Sequence, residues 1–93
     1  MPAFKVAIPT PLRSYTQGVA SVQVVVDRAP ATLRDAFAAL EAAYPGIRFR
    51  MIDEAGRVRP HIQVFVGMSV QRDPDAILQP GDEIMLVGAL SGG

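Results

Sequence analysis

Apolar and polar side chains alternate with a two-residue period in several stretches of the chain. Residues 4–8 show this period and are followed by Pro9, and residues 20–27 show it again with valine at every second position: Val22, Val24 and Val26. A two-residue period with β-branched side chains is typical of a strand that has one buried face. The pattern therefore predicts two strands that pair antiparallel across a long connection.

A different period begins with the next apolar stretch. Apolar side chains recur there at intervals of four, three and four positions and form one stripe: Leu33, Phe37, Leu40 and Tyr44. Such a stripe predicts a helix over 33–44 that packs on a sheet. The Thr32 hydroxyl can accept a hydrogen bond from the amide of Asp35, which is typical of a helix start, and Pro45 with Gly46 is a typical helix end.

Two more strands are predicted after the helix. Residues 61–67 alternate again, and residues 83–90 follow a strong turn signal at Pro80 and Gly81. Residues 47–60 have no clear period and predict an irregular connection. The order strand, strand, helix, strand, strand predicts an α+β fold with the β-grasp, or ubiquitin-like, architecture. In it one main helix packs across one face of a mixed four- to five-stranded sheet, and the last strand lies beside the first in the middle.

The face of the sheet away from the helix is a candidate protein interface. Phe65 and Leu86 are the apolar candidates for that face, with Val25 or Ile84 added according to the register. A shift of one residue would move either side chain into the core, so the pattern leaves both placements open. An exposed apolar patch on so small a domain would mark a site for a partner protein.

Composition and charge narrow the possible functions. The chain has 93 residues, enough for one domain, and its 49% apolar content indicates a folding chain. Nine basic residues balance nine acidic ones, which argues against nucleic acid as a partner. The absence of cysteine excludes disulfides, thiolate metal sites and a catalytic thiol. No apolar run has the length of a membrane span or a signal peptide, so we expect a cytoplasmic protein without a membrane partner.

The polar residues offer no convincing catalytic or metal-binding constellation. His61 is the single histidine and is expected to be structural or solvated, while Asp73 and Asp75 flank Pro74 in a predicted turn. No serine has the glycine-flanked context of a nucleophile elbow. We therefore predict no catalytic residue, no metal ligand and no bound cofactor.

Four arginines form the one local concentration of positive charge: Arg48, Arg50, Arg57 and Arg59. They have two interpretations. One is a solvated loop with weak exposed ion pairs. The other is a docking patch for an acidic partner surface, to which Arg57 and Arg59 would contribute beside the sheet face.

The last five residues, "ALSGG", carry little side-chain mass. We expect residues 1–88 to form the domain and residues 89–93 a flexible tail, which would reach about 16–18 Å when extended. Two residues without a Cβ can pass through a narrow channel. A terminal carboxylate with a pKa of about 3.5 is ionised and a poor electrophile at neutral pH, so its chemistry would need activation.

Five stretches together carry a resemblance to a known family: "VAIPTPLRSYTQG", "TLRDAFAALEAAYPGIRFRMIDEAGRVR", "HIQVFVG", "PGDEIMLV" and the closing "SGG". They cover essentially the whole chain, which resembles the MoaD/ThiS family of ubiquitin-like sulfur-carrier proteins and, within it, the CysO-type subgroup. Gly88 departs from the family, where proline is common before the tail. So does Gly67, which follows "VFV" at a position where asparagine is common. These departures blur the subgroup more than the carrier role.

The resemblance implies a role for each tail residue. Gly93 would be adenylated by an E1-like enzyme with ATP and converted by a sulfur donor to a thiocarboxylate, which an acceptor synthase would consume. Gly92 would be the residue that threads the partner's channel, Ser91 and Leu90 would be the part of the tail that lines it, and the outer sheet face would dock the activating enzyme. Some relatives are trimmed by a metalloprotease. Two alternatives stay open: a protein modifier joined to lysines through Gly93, and a β-grasp binding module.

Overall fold

The computed structural model describes residues 1–88 of the chain, and the predicted tail lies outside them. Within that range the strands are β1 (Ala3–Ala7), β2 (Ser21–Val25), β3 (Ala31–Thr32), β4 (Ile62–Val66), β5 (Ser69–Val70), β6 (Ile77–Leu78) and β7 (Glu83–Gly88). The helices are α1 (Leu33–Ala43), α2 (Arg48–Met51) and a short 3-10 helix (Thr10–Leu12). No helix in the described range has both the length and the apolar character to cross a membrane.

The main sheet has five strands in the order β2-β1-β7-β4-β5. Strand β1 pairs antiparallel with β2 and parallel with β7, and β7 pairs antiparallel with β4. The last strand therefore lies beside the first in the middle of the sheet, and the predicted mixed sheet with one main helix is confirmed. Strands β3 and β6 form a separate two-stranded sheet that the alternation did not predict, because two residues are too few to show a period.

Helix α1 begins at the predicted capping site. The Asp35 amide donates to the Thr32 hydroxyl at 3.2 Å, and the Thr32 amide donates to an Asp35 carboxylate oxygen at 2.9 Å. Such reciprocal bonds satisfy amides that a helix start would otherwise leave unpaired. The helix places its apolar stripe in the core, opposite the inward side chains of the main sheet: Phe4, Val6, Val22, Val24, Val64, Ile84 and Leu86.

The connection after α1 is more ordered than predicted. Its apolar residues Ile47 and Met51 lie four positions apart and are completely buried, one directly before α2 and one at its end. A four-residue helix is too short to give a visible period, so these two core residues were missed.

Glu41 fixes the turn between the two helices. Its carboxylate accepts the amide of Gly46 and the amide of Arg48, both at 2.9 Å. These two hydrogen bonds, the Gly46 bond first, hold the pKa of Glu41 below its ordinary value. Gly46 has a φ of 98°, and a Cβ there would lie 3.1 Å from Tyr15 Cε1. The turn therefore needs glycine, and it sets where α2 begins.

Candidate functional site

Strand β7 ends at the last residue that the structure describes. It is hydrogen-bonded on both sides: Met85 lies in register with Ala7 of β1 and with Phe65 of β4, and Gly88 lies opposite Ile62. The pairing with β1 covers Glu83 to Met85, and Gly88 itself is paired with β4 alone. Residues 89–93, which include the predicted Leu90, Ser91, Gly92 and Gly93, follow Gly88 and lie outside the described range.

Leu86 was a candidate for the outer sheet face, with the core as the open alternative, and the structure places it in the core. Leu86 is 2% exposed and lies opposite the buried Val64, so it belongs to the core under α1. The outward side chains of β7 are Met85, 46% exposed, and Val87, 38% exposed. Because residues 84–87 are all apolar, the sequence pattern does not show which of them face the core. The exposed Glu83, two positions before Met85, indicates that Met85 lies on the outer face.

We call the side of the main sheet that is turned away from α1 its outer face. One register row crosses all five strands: Ser21, Ala7, Met85, Phe65 and Val70. Phe65 is half-buried and shares this row with the exposed Met85, so of its two open placements it takes the one on the outer face. Val25 also lies on this face, whereas Ile84 is in the core, which resolves the register alternatives.

A groove of 280 Å³ opens beside Gly88. The groove is lined by the segment after β1, by α2 and by the segment that enters β4. The lining residues besides Gly88 are Pro9, Pro11, Leu12, Phe49, Arg50, Arg59, His61 and Ile62. None of these residues is acidic. Because Gly88 lines the groove, the groove lies where the segment 89–93 begins, and its lining combines two guanidinium groups with apolar surface.

The four arginines predicted as one patch separate into different environments. The Arg48 guanidinium carbon lies over the Phe49 ring, 5.4 Å from its centroid. Arg59 Nε donates to the carbonyl of Phe49 at 2.6 Å, and Arg50 Nε donates to the hydroxyl of Tyr15 at 2.6 Å. Arg57 forms an ion pair with Asp53 at 3.6 Å. No carboxylate among residues 1–88 lies within 4.0 Å of Arg50 or Arg59, because the described ion pairs involve other basic residues: Lys5, Arg28, Arg34 and Arg57.

The side of the groove that enters β4 is anchored by Arg72. Its Nη1 donates to the carbonyl of Ile62 at 2.9 Å, and its Nη2 donates to the carbonyls of Val58 at 2.9 Å and Arg59 at 3.2 Å. One guanidinium group thus holds three carbonyls of the segment that contains Arg59 and His61. Nothing in the sequence pattern pointed to this role, since the partner carbonyls lie ten to fourteen positions away.

The remaining polar candidates are Asp73, Asp75 and His61. The Asp75 amide donates to Asp73 Oδ1 at 2.9 Å, which closes the predicted turn. The Asp75 carboxylate pairs with Arg34 through two hydrogen bonds of 3.0 and 3.3 Å, and this pairing lowers its pKa. His61 is exposed at the groove rim. Neither aspartate is placed for acid-base chemistry.

Comparison with known proteins identifies the family. The ThiS family model matches residues 6–93. The chain belongs to the ThiS family. This match includes the last five residues as well as the β-grasp domain, which confirms the family resemblance seen in the sequence. No match was found among curated proteins.

Solved structures of ThiS-like proteins share the fold over almost the whole chain. CysO from Mycobacterium tuberculosis is 28% identical, with a TM-score of 0.82 over 94% of this chain and 99% of its own. The Amycolatopsis orientalis structure described as a BexX/CysO complex matches with the same identity and TM-score over 97% and 99%. SAMP1 from Haloferax volcanii also has 28% identity and a TM-score of 0.82, over 98% and 99%. This chain is thus similar both to a CysO protein and to a small archaeal modifier protein.

Proposed function

We propose that this protein is a sulfur carrier and not a catalyst. Its Gly93 carboxylate is adenylated by an E1-like enzyme and converted to a thiocarboxylate that donates sulfur in a biosynthetic pathway. The observation that carries this proposal is the continuity of the ThiS match from the central strand β7 through the Gly92-Gly93 pair. The lack of a catalytic constellation in the described residues supports the same role.

The proposed chemistry has two steps, both on the partner enzyme. A carboxylate oxygen of Gly93 attacks the α-phosphate of ATP, so that a C–O–P linkage forms and pyrophosphate leaves. Sulfide from a sulfur donor then attacks the carbonyl carbon, and AMP leaves with the oxygen, which yields the thiocarboxylate. Activation is needed because the ionised carboxylate is a poor electrophile at neutral pH.

The protein's own contribution is to position the segment 89–93. Strand β7 is paired with β1 over its first half and with β4 up to Gly88, so the sheet sets the starting point of a segment that reaches about 16–18 Å when extended. Gly92 lacks a Cβ and can therefore pass a narrow channel. The outer face, with Met85 and Phe65 at its centre, supplies an apolar surface for the activating enzyme and for the acceptor synthase.

Exchange of labelled pyrophosphate into ATP tests the first step. The full chain, mixed with the host's E1-like enzyme, is expected to support exchange. Deletion of Gly93 or the change Gly92→Phe is expected to abolish it with an unchanged melting temperature, whereas Ser91→Ala retains it. Undiminished exchange by the Gly92 variant would overturn the threading argument.

A second candidate function is protein modification through an isopeptide bond from Gly93 to lysine, which is favoured by the similarity to SAMP1. The sequence limits the chains that such a modifier could form with copies of itself, because the protein has a single lysine, Lys5. Lys5 lies on the outer face, 3.8 Å from Glu83, so lysine-linked chains of this protein would all pass through that face. Adducts on cellular proteins that persist in a Lys5→Arg variant would support single-unit modification.

A further inference from the structure

The groove beside Gly88 contains two arginines that form no ion pair with residues 1–88. They are Arg50 and Arg59, each of which spends its Nε on a neutral oxygen of Tyr15 or Phe49. No acidic side chain among residues 1–88 lines the groove, and none of their carboxylates lies within 4.0 Å of either arginine. The two guanidinium groups give the groove the donors of an anion site, since planar guanidinium groups pair with carboxylates through two parallel hydrogen bonds.

The groove is also apolar on one side. Phe49, the second residue of α2, is 51% exposed, and Pro9 and Pro11 line the groove with it. A binding surface that combines an exposed aromatic ring with arginine is typical of the anchoring points of protein interfaces.

We infer that the groove receives an acidic side chain, flanked by an apolar one, from the protein that accepts the segment 89–93. The inference rests on the proposed function, because a partner that accepts Gly93 must lie against the base of that segment. Charge complementarity selects the occupant: two guanidinium groups that form no ion pair with residues 1–88 fit aspartate or glutamate at the mouth of the partner's channel. The zero net charge of the chain disfavours a nucleic-acid phosphate as the occupant.

This contact differs from the basic patch predicted from sequence. Arg57 is satisfied by Asp53 and does not line the groove. Arg50 takes its place, because α2 carries it to the groove beside Arg59. Arg57 is thus a matched control: an arginine on the same connection, of equal charge, outside the groove.

Titration of the full chain with the acidic peptide acetyl-Glu-Leu-Glu-amide, followed by amide NMR, tests the groove without any enzyme. Shifts are expected at the amides of Phe49, Arg50, Arg59 and His61. Each of Arg50→Gln and Arg59→Gln is expected to weaken binding about tenfold, and Arg57→Gln to leave it unchanged. Equal effects of all three changes would overturn the inference. Larger shifts with a single-stranded RNA of equal length would also overturn it. A change in the chemical shift of the Gly93 amide caused by Arg59→Gln in the free chain would overturn it as well, because the groove would then hold the protein's own segment.

The activating enzyme supplies the second readout. In pyrophosphate exchange, Arg50→Gln and Arg59→Gln are expected to raise KM for the carrier about tenfold with kcat unchanged and to flatten its dependence on salt. An unchanged KM for both variants would overturn the partner assignment. Absence of exchange by the unmodified chain would instead defeat the proposed function, and the peptide titration would still decide what the groove binds.

Discussion

Met85 and Phe65 lie directly opposite each other on the antiparallel pair β7 and β4, and both side chains are on the outer face. Met85 also lies in register with Ala7 on β1, so it occupies the centre of the apolar row that crosses the sheet. The same strand that carries this row leads to Gly88. Docking through the outer face would therefore fix the position and direction of residues 89–93 together.

Replacing Met85 with aspartate tests the outer face as the docking surface. A buried charge without a partner is costly at an interface, so we expect KM for the activating enzyme to rise at least about tenfold. The melting temperature is expected to change little because Met85 is 46% exposed. Ile77→Asp is the matched control, since Ile77 is 54% exposed but lies in the second sheet. Equal KM values for the two variants would exclude the central row from docking.

The placement of Leu86 in the core and Val87 on the outer face predicts different effects on stability. Leu86→Ala removes a buried side chain from the core and is expected to lower the free energy of unfolding by about 2–5 kcal/mol. Val87→Ala, one position along and on the outer face, is expected to cost less than about 1 kcal/mol. Urea denaturation of both variants measures the difference. A reversed order would mean that the register assigned to β7 is wrong.

The local signals in the sequence predicted most of this fold. The capping pair Thr32 and Asp35 and the stripe of α1 were readable because a helix of eleven residues shows its period and its start within one segment. The phase of β7 was not readable in the same way, because residues 84–87 are all apolar. Strand pairing decides which of them is buried, and pairing is a long-range property.

The groove was less predictable than the sheet. Its arginines were visible as a cluster, but only the tertiary structure pairs Arg57 with Asp53 and carries Arg50 to the side of Arg59. The short helix α2 and the Arg72 anchor both depend on contacts that are distant in sequence. A cluster of like charges in one segment therefore predicted the region of the site but not its members.

Glu41 is expected to make the stability of the fold depend on pH in the acidic range. Because the folded state lowers its pKa, its contribution to stability is present above the ordinary value of 4.5 and is lost as the pH falls through the folded value. We expect the melting temperature of the unmodified protein to fall more steeply below pH 4.5 than that of Glu41→Gln. Parallel curves for the two proteins would mean that the carboxylate does not hold the Gly46 turn in its ionised form.

Arg72 is predicted to hold the side of the groove that enters β4. Arg72→Gln loses the hydrogen bonds to the carbonyls of Ile62, Val58 and Arg59, and we expect a loss of about 1–3 kcal/mol in unfolding free energy. Amide exchange over residues 58–62 is expected to accelerate. Arg28→Gln, which removes an exposed ion pair with Asp35, is the control and should cost less than about 1 kcal/mol. Unchanged exchange over 58–62 in Arg72→Gln would contradict this anchoring role.

The intact mass of the full chain tests the carrier role most directly. The chain is incubated with the host's E1-like enzyme, ATP and sulfide, and a second sample without ATP is the control. We expect a mass increase that corresponds to one oxygen replaced by one sulfur, located by fragmentation at Gly93 and absent without ATP. An unchanged mass at Gly93, together with isopeptide adducts on the lysines of other proteins, would contradict the sulfur-carrier account and favour the modifier.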